Sequence, residues 1–128
     1  MTNDLPQRLA FAILEHDHPH LHWDFFLETP TALRSWRLER MPDCAGVVNA
    51  DALSDHRKAY LDYEGPVSGD RGSVSRIDRG EFDLISSTEH EVTVRLHGQR
   101  LRGIARLTKS LDASVRWTFE WQPDEIAA

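Results

Sequence analysis

The chain is built from short apolar runs and alternating stretches rather than from long helical periods. RLAFAILEH (8–16) and LHWDFFLE (21–28) read as two strands, with DHPH between them as turn material. ALRSWRLER (32–40) reads as a third strand. Residues 47–59 are less regular, and NADALSDHRKAY is expected to include a helical turn. A turn-rich stretch, GPVSGDRG, follows YLDYEG (60–65). SVSRIDRG (73–80), EFDLISS (81–87), EVTVRLHG (91–98), RLRGIARLTKS (100–110) and SVRWTFEWQ (114–122) then read as strands separated by Gly, Ser or Asp. The pattern predicts an antiparallel sandwich or small barrel, with a fraying PDEIAA tail.

At 128 residues the chain has the size of one domain, taken as 1–128. Its net charge of -6 argues against a nucleic-acid binder driven by overall charge, though not against a local basic pocket. Thirteen of the 15 basic residues are Arg, the side chain suited to bidentate capture of phosphate or carboxylate. The single cysteine, Cys44, rules out an internal disulfide and fits a reducing compartment. No apolar run is long enough to span a bilayer, and no leader pattern opens the sequence. The expectation is a soluble cytoplasmic protein without a membrane partner.

Four of the seven histidines crowd into EHDHPHLHWDFFLE (15–28). Side chains alternate along a strand, so His22, Asp24 and Phe26 share a face. A short hairpin would bring His16 beside His22. Two imidazoles and a carboxylate are a ligand set for Mn²⁺, Zn²⁺ or Co²⁺, and the same spacing also suits a solvated hairpin. His18 and His20 are expected to be exposed turn residues. His56 and Tyr60, four apart, would share one face of a helical turn, either to contact phosphate and move a proton or as a surface His beside a half-buried Tyr. Trp23, Trp36 and Phe26 are also candidates to line an apolar ligand pocket.

Read in order, these motifs resemble the 3'-phosphoesterase domain of bacterial DNA ligase D. The carriers are a His ahead of HWDFFLE (22–28), LRSW (33–36), DHRKAY (55–60), YEGPVSGDRGSV (63–74), DRGEF (78–82), LHGQRLRG (96–103) and RWTFEW (116–121). The resemblance implies an antiparallel β-barrel of about eight strands with short helical turns. It implies a divalent metal, manganese first, on His16, His22 and Asp24. His56 and Tyr60 would contact phosphate, and Arg40 would take the place of a family lysine. The implied activity is removal of a 3'-phosphate or 3'-ribonucleotide in DNA repair. The implied partners are a nucleic-acid 3' end or a smaller phosphoester, together with a separate repair ligase or polymerase.

The sequence also departs from the family pattern. Phe26 replaces the arginine that grips the phosphate, Leu14 a glutamine, Val48 a second arginine and Arg57 a proline. The loop after Gly65 is rewritten as Val67-Ser68-Gly69-Asp70-Arg71-Gly72. Arg34, Arg57 or Arg71 is then expected to supply a relocated positive charge. The alternative expectation is a catalytically impaired relative that acts as a metal- or ligand-binding or assembly module.

Overall fold

The computed structural model describes residues 8–112 and 115–125. Residues 126–128, the end of the tail expected to fray, lie outside the described residues. Eight long strands close into an antiparallel barrel: β1 (Leu9–His16), β2 (His22–Glu28), β3 (Leu33–Leu38), β4 (Gly46–His56), β6 (Ser73–Ser87), β7 (Glu91–Gly98), β8 (Arg102–Lys109) and β9 (Arg116–Pro123). The two-residue β5 (Gly65–Pro66) adds a short edge to β6. The sheet order is β1-β2-β3-β4-β9-β8-β7-β6-β5, and pairing of β1 with β6 closes it. Closure removes the open edges that an eight-stranded sheet would otherwise expose.

The interior is filled from alternate positions of every long strand. Phe11 and Ile13 of β1 meet Phe25, Trp36, Val94, Leu107 and Phe119, all essentially inaccessible. The run LAFAIL is apolar at every position because β1 is buried on both faces. Its outward residues Ala10, Ala12 and Leu14 form a second cluster with Phe26, Leu33, Leu61 and Val74. Residues 57–67 cover this outer face. Leaving β4, the chain makes one 3-10 turn (Lys58–Leu61) and runs as a strap across β2 and β1 to β6. Leu61 is buried beneath it. Ion pairs tie it down on both sides: Lys58–Glu28 at 3.4 Å on β2, then Asp62–Arg79 at 2.7 Å and Glu64–Arg76 at 3.4 Å on β6. Exposed pairs of this kind are screened by solvent and contribute little, so Leu61 is the main anchor.

Two expectations change. SVSRIDRG and EFDLISS are one 15-residue strand, not two. Gly80 makes no turn there; a Cβ would lie 2.2 Å from the His97 carbonyl oxygen, so the glycine permits close approach of β7. Asp78 of the same strand is buried and accepts the backbone N–H groups of Arg79, Gln99, Arg100 and Leu101. The helical turn expected within 49–60 is confined to Lys58–Leu61, because β4 stays extended as far as His56.

Candidate metal centre

The β1–β2 hairpin sets the site. His16 and His22 are cross-strand partners, and Leu14 faces Asp24. The rings of His16 and His22 lie 4.9 Å apart between centroids. Asp24 Oδ2 lies 3.6 Å from His16 Nδ1, and Asp24 Oδ1 lies 3.2 Å from His22 Nε2. One ligand atom from each of the three residues falls within 4.8 Å of the others. His22 and Asp24 are both 5% exposed.

Hydrogen bonds fix which nitrogens face inward. A carbonyl can only accept, so His16 Nε2 donates to the Arg71 carbonyl at 2.9 Å and His22 Nδ1 donates to the His20 carbonyl at 2.8 Å. In the neutral rings, His16 Nδ1 and His22 Nε2 then carry lone pairs aimed at the carboxylate. Asp24 Oδ1 is buried and has no hydrogen-bond partner among the described residues. Three acceptors facing one another are costly unless a proton or a cation lies between them. Outer ring nitrogens held by backbone carbonyls are the arrangement of metal-bound histidines. The residues therefore fit a divalent cation.

The cluster borders a cleft of about 420 Å³ on the outer face of the barrel. His16 and Asp24 line one side; His56, Arg57 and Tyr60, carried by the end of β4 and the strap, line another, with Arg71 nearby. His56 Nδ1 donates to the Ser54 carbonyl at 3.0 Å, which leaves Nε2 uncommitted among the described residues. The His56 and Tyr60 rings meet edge to face at 5.8 Å, so the strap brings together what a helical turn was expected to pair. Phe26, 1% exposed, packs its ring 5.1 Å from that of His56 and supplies an apolar floor.

Other expected residues fall elsewhere. Arg40 is not among the residues lining the cleft; its guanidinium donates to the Val47 carbonyl at 3.0 Å. Val48 belongs to the interior core, so an arginine at that position would lie inside the barrel. Arg34 stacks over Trp36 at 4.8 Å and Trp117 at 5.6 Å, and desolvation lowers its pKa. Of the three candidate relocated charges, only Arg57 and Arg71 reach the cleft. Trp36 lies in the barrel core and Phe26 in the outer cluster, so with Trp23 they do not line one pocket. His20 is exposed, as expected of a turn residue, whereas His18 is half-buried.

Sequence reasoning missed Asp17. Its carboxylate accepts the Ser73 backbone N–H at 2.8 Å, and this bond holds its pKa below the ordinary aspartate value. The bond ties the hairpin turn to the start of β6, next to Arg71 and the carbonyl that orients His16. Gly72, at φ +71°, makes room for it; a Cβ there would lie 2.1 Å from Asp17 Oδ1. The Asp in EHDHPH followed by the glycines of SGDRGS was the available signal.

The family described as the DNA Ligase D 3'-phosphoesterase domain matches residues 14–109. The multifunctional non-homologous end joining protein LigD of Mycobacterium bovis is 36% identical over 103 residues, covering 73% of this chain and 14% of that protein. LigD of Pseudomonas aeruginosa is 29% identical over 105 residues, covering 74% of this chain and 12% of that protein. The chain thus spans a small fraction of these relatives. Over three quarters of its length it carries the family pattern, on a closed barrel with the His16–His22–Asp24 cluster outside, and it belongs to the DNA ligase D 3'-phosphoesterase domain family.

Proposed function

We propose that the chain is a divalent-metal-dependent phosphoesterase acting on the 3' end of a nucleic acid in DNA end processing. The observation that carries this reading is the buried Asp24 oxygen facing two imidazole nitrogens beside a cleft that also holds His56 and Tyr60. His16, His22 and Asp24 would hold the ion; manganese, zinc and cobalt all suit this mixed donor set. When bound, a divalent cation supplies charge to a phosphate oxygen and acidifies water.

The protein's own groups supply the rest. Arg57 and Arg71 offer the phosphate the positive charge that Phe26 does not, from the cleft wall instead of the β2 face. The Tyr60 hydroxyl orients a phosphate oxygen. Water attacks phosphorus, the bond to the sugar 3'-oxygen breaks, and protonated His56 gives a proton through Nε2 to that leaving oxygen. The products are inorganic phosphate and a 3'-hydroxyl. Phosphate contacts supply affinity locally, which suits a chain of net charge -6 that lacks a broadly basic balance.

The test uses DNA primers ending in a 3'-phosphate or a single ribonucleotide, incubated with manganese and the wild-type, His22→Ala or His56→Ala protein. The reading expects end processing that is abolished by His22→Ala and slowed about 10²- to 10⁴-fold by His56→Ala. Metal binding without turnover would replace it with the second reading, a catalytically impaired binding or assembly module. Phe26 at the clamp position is the observation that favours that alternative.

A further inference from the structure

A second cleft, of about 380 Å³, adjoins the metal cleft. Arg57, Tyr60 and Val67 stand in the walls of both. Beyond them the second cleft is lined by Ala59, Tyr63, Pro66 and Ser68. Its walls are mainly aromatic and aliphatic, and Arg57 is its one formally charged side chain.

The rings are placed to receive a flat group. Tyr60 and Tyr63 meet edge to face, 5.9 Å apart and 82° between planes, so they form a corner instead of a closed stack. The Tyr63 hydroxyl donates to the Pro66 carbonyl, which fixes the ring, and Tyr63 remains 36% exposed. Gly65, at φ +128°, brings the backbone against that ring; a Cβ there would meet the Tyr63 hydroxyl oxygen at 3.4 Å.

Arg57 differs from the arginines around the β7–β8 turn and the part of β6 beside it. Arg76 is paired with Glu64, Arg79 with Asp62, and Arg102 with the Gly98 carbonyl. The Arg57 guanidinium lies 5.9 Å from the Tyr60 ring centroid and has no carboxylate or carbonyl partner among the described residues. It stands where the two clefts meet.

We propose that the second cleft holds the base of the terminal nucleoside whose 3'-phosphate enters the metal cleft, with Arg57 bridging the two. The proposal rests on the phosphoesterase reading and adds its substrate subsite. A base and its 3'-phosphate are separated by one sugar, and the clefts are separated by one shared wall of side chains. Tyrosine faces accept any base, so the subsite recognises a nucleoside without reading sequence.

The test measures equilibrium binding to the manganese-loaded protein, which does not depend on turnover. The probes are inorganic phosphate, abasic 2-deoxyribose 3-phosphate and a deoxynucleoside 3'-monophosphate. The nucleotide is expected to bind about five- to a hundredfold more tightly than the abasic compound. Tyr63→Ala should erase that gap while leaving inorganic phosphate binding unchanged, and Tyr63→Trp should retain it. Arg57→Ala should weaken all three probes. Equal affinity for nucleotide and abasic compound, or a gap that survives Tyr63→Ala, overturns the subsite alone. Failure of all three probes to bind removes the phosphoesterase reading together with it.

Discussion

Asp24→Asn should make the metal-free protein more stable while removing its response to metal. Asp24 is 5% exposed in the wild type, with one carboxylate oxygen lacking any hydrogen bond among the described residues and two imidazole lone pairs 3.2 and 3.6 Å away. A buried polar group left unsatisfied costs about 1–3 kcal/mol. An asparagine of the same shape carries no charge and donates an N–H to either ring, so a gain of about 1–2 kcal/mol is expected. In the wild type, manganese at a hundred times its dissociation constant adds about 2.7 kcal/mol. The order of stabilities therefore inverts between chelator and metal. Urea denaturation at mildly alkaline pH, with EDTA and then with manganese, reads both effects. An Asp24→Asn protein that is less stable in EDTA, or one that manganese stabilises as much as wild type, would refute the reasoning.

Three further perturbations probe other parts of the account. Phe26→Arg should raise kcat/KM on a 3'-phosphorylated primer at least tenfold by restoring a charge on the ligand face, and should lower stability by up to about 3 kcal/mol because Phe26 is 1% exposed; lower turnover with intact metal affinity would count against it. Gly98→Ala puts a Cβ 2.1 Å from Asp78 Oδ2 and 2.7 Å from Phe11 Cζ, so a loss of about 3 kcal/mol or more is expected on denaturation, and wild-type stability would contradict it. Glu64 accepts the Arg76 backbone N–H, which holds its folded pKa below the ordinary glutamate value of 4.5. Its contribution is present above that value and is lost as pH falls through the lower folded one. Glu64→Gln should therefore be less stable than wild type at neutral pH, and the difference should shrink below pH 4.5; a pH-independent difference would show that the charge is not involved.

The barrel was legible because its strands carry the β signals of alternation and turn residues. The hairpin was legible too: the distance from His16 to His22 sets their pairing once DHPHL turns. Less visible were features that depend on one strand meeting another. Gly80 looks like punctuation in the sequence, yet it serves the His97 carbonyl on β7. Val48 occupies the place in motif order where a clamp residue would stand, but the register of β4 against β9 turns it inward. The strap has weak local signals because its order comes from Leu61 and from ion pairs to residues far away in sequence. Arg57 gains its meaning from that path, which no local pattern encodes.

The central claim is that His16, His22 and Asp24 form one metal site, and its most direct test is a manganese titration of the metal-free protein followed by electron paramagnetic resonance. The account predicts one tightly bound ion per chain, lost in His22→Ala and retained in His20→Ala, whose ring is exposed. No bound ion, or binding that survives His22→Ala unchanged, would contradict it.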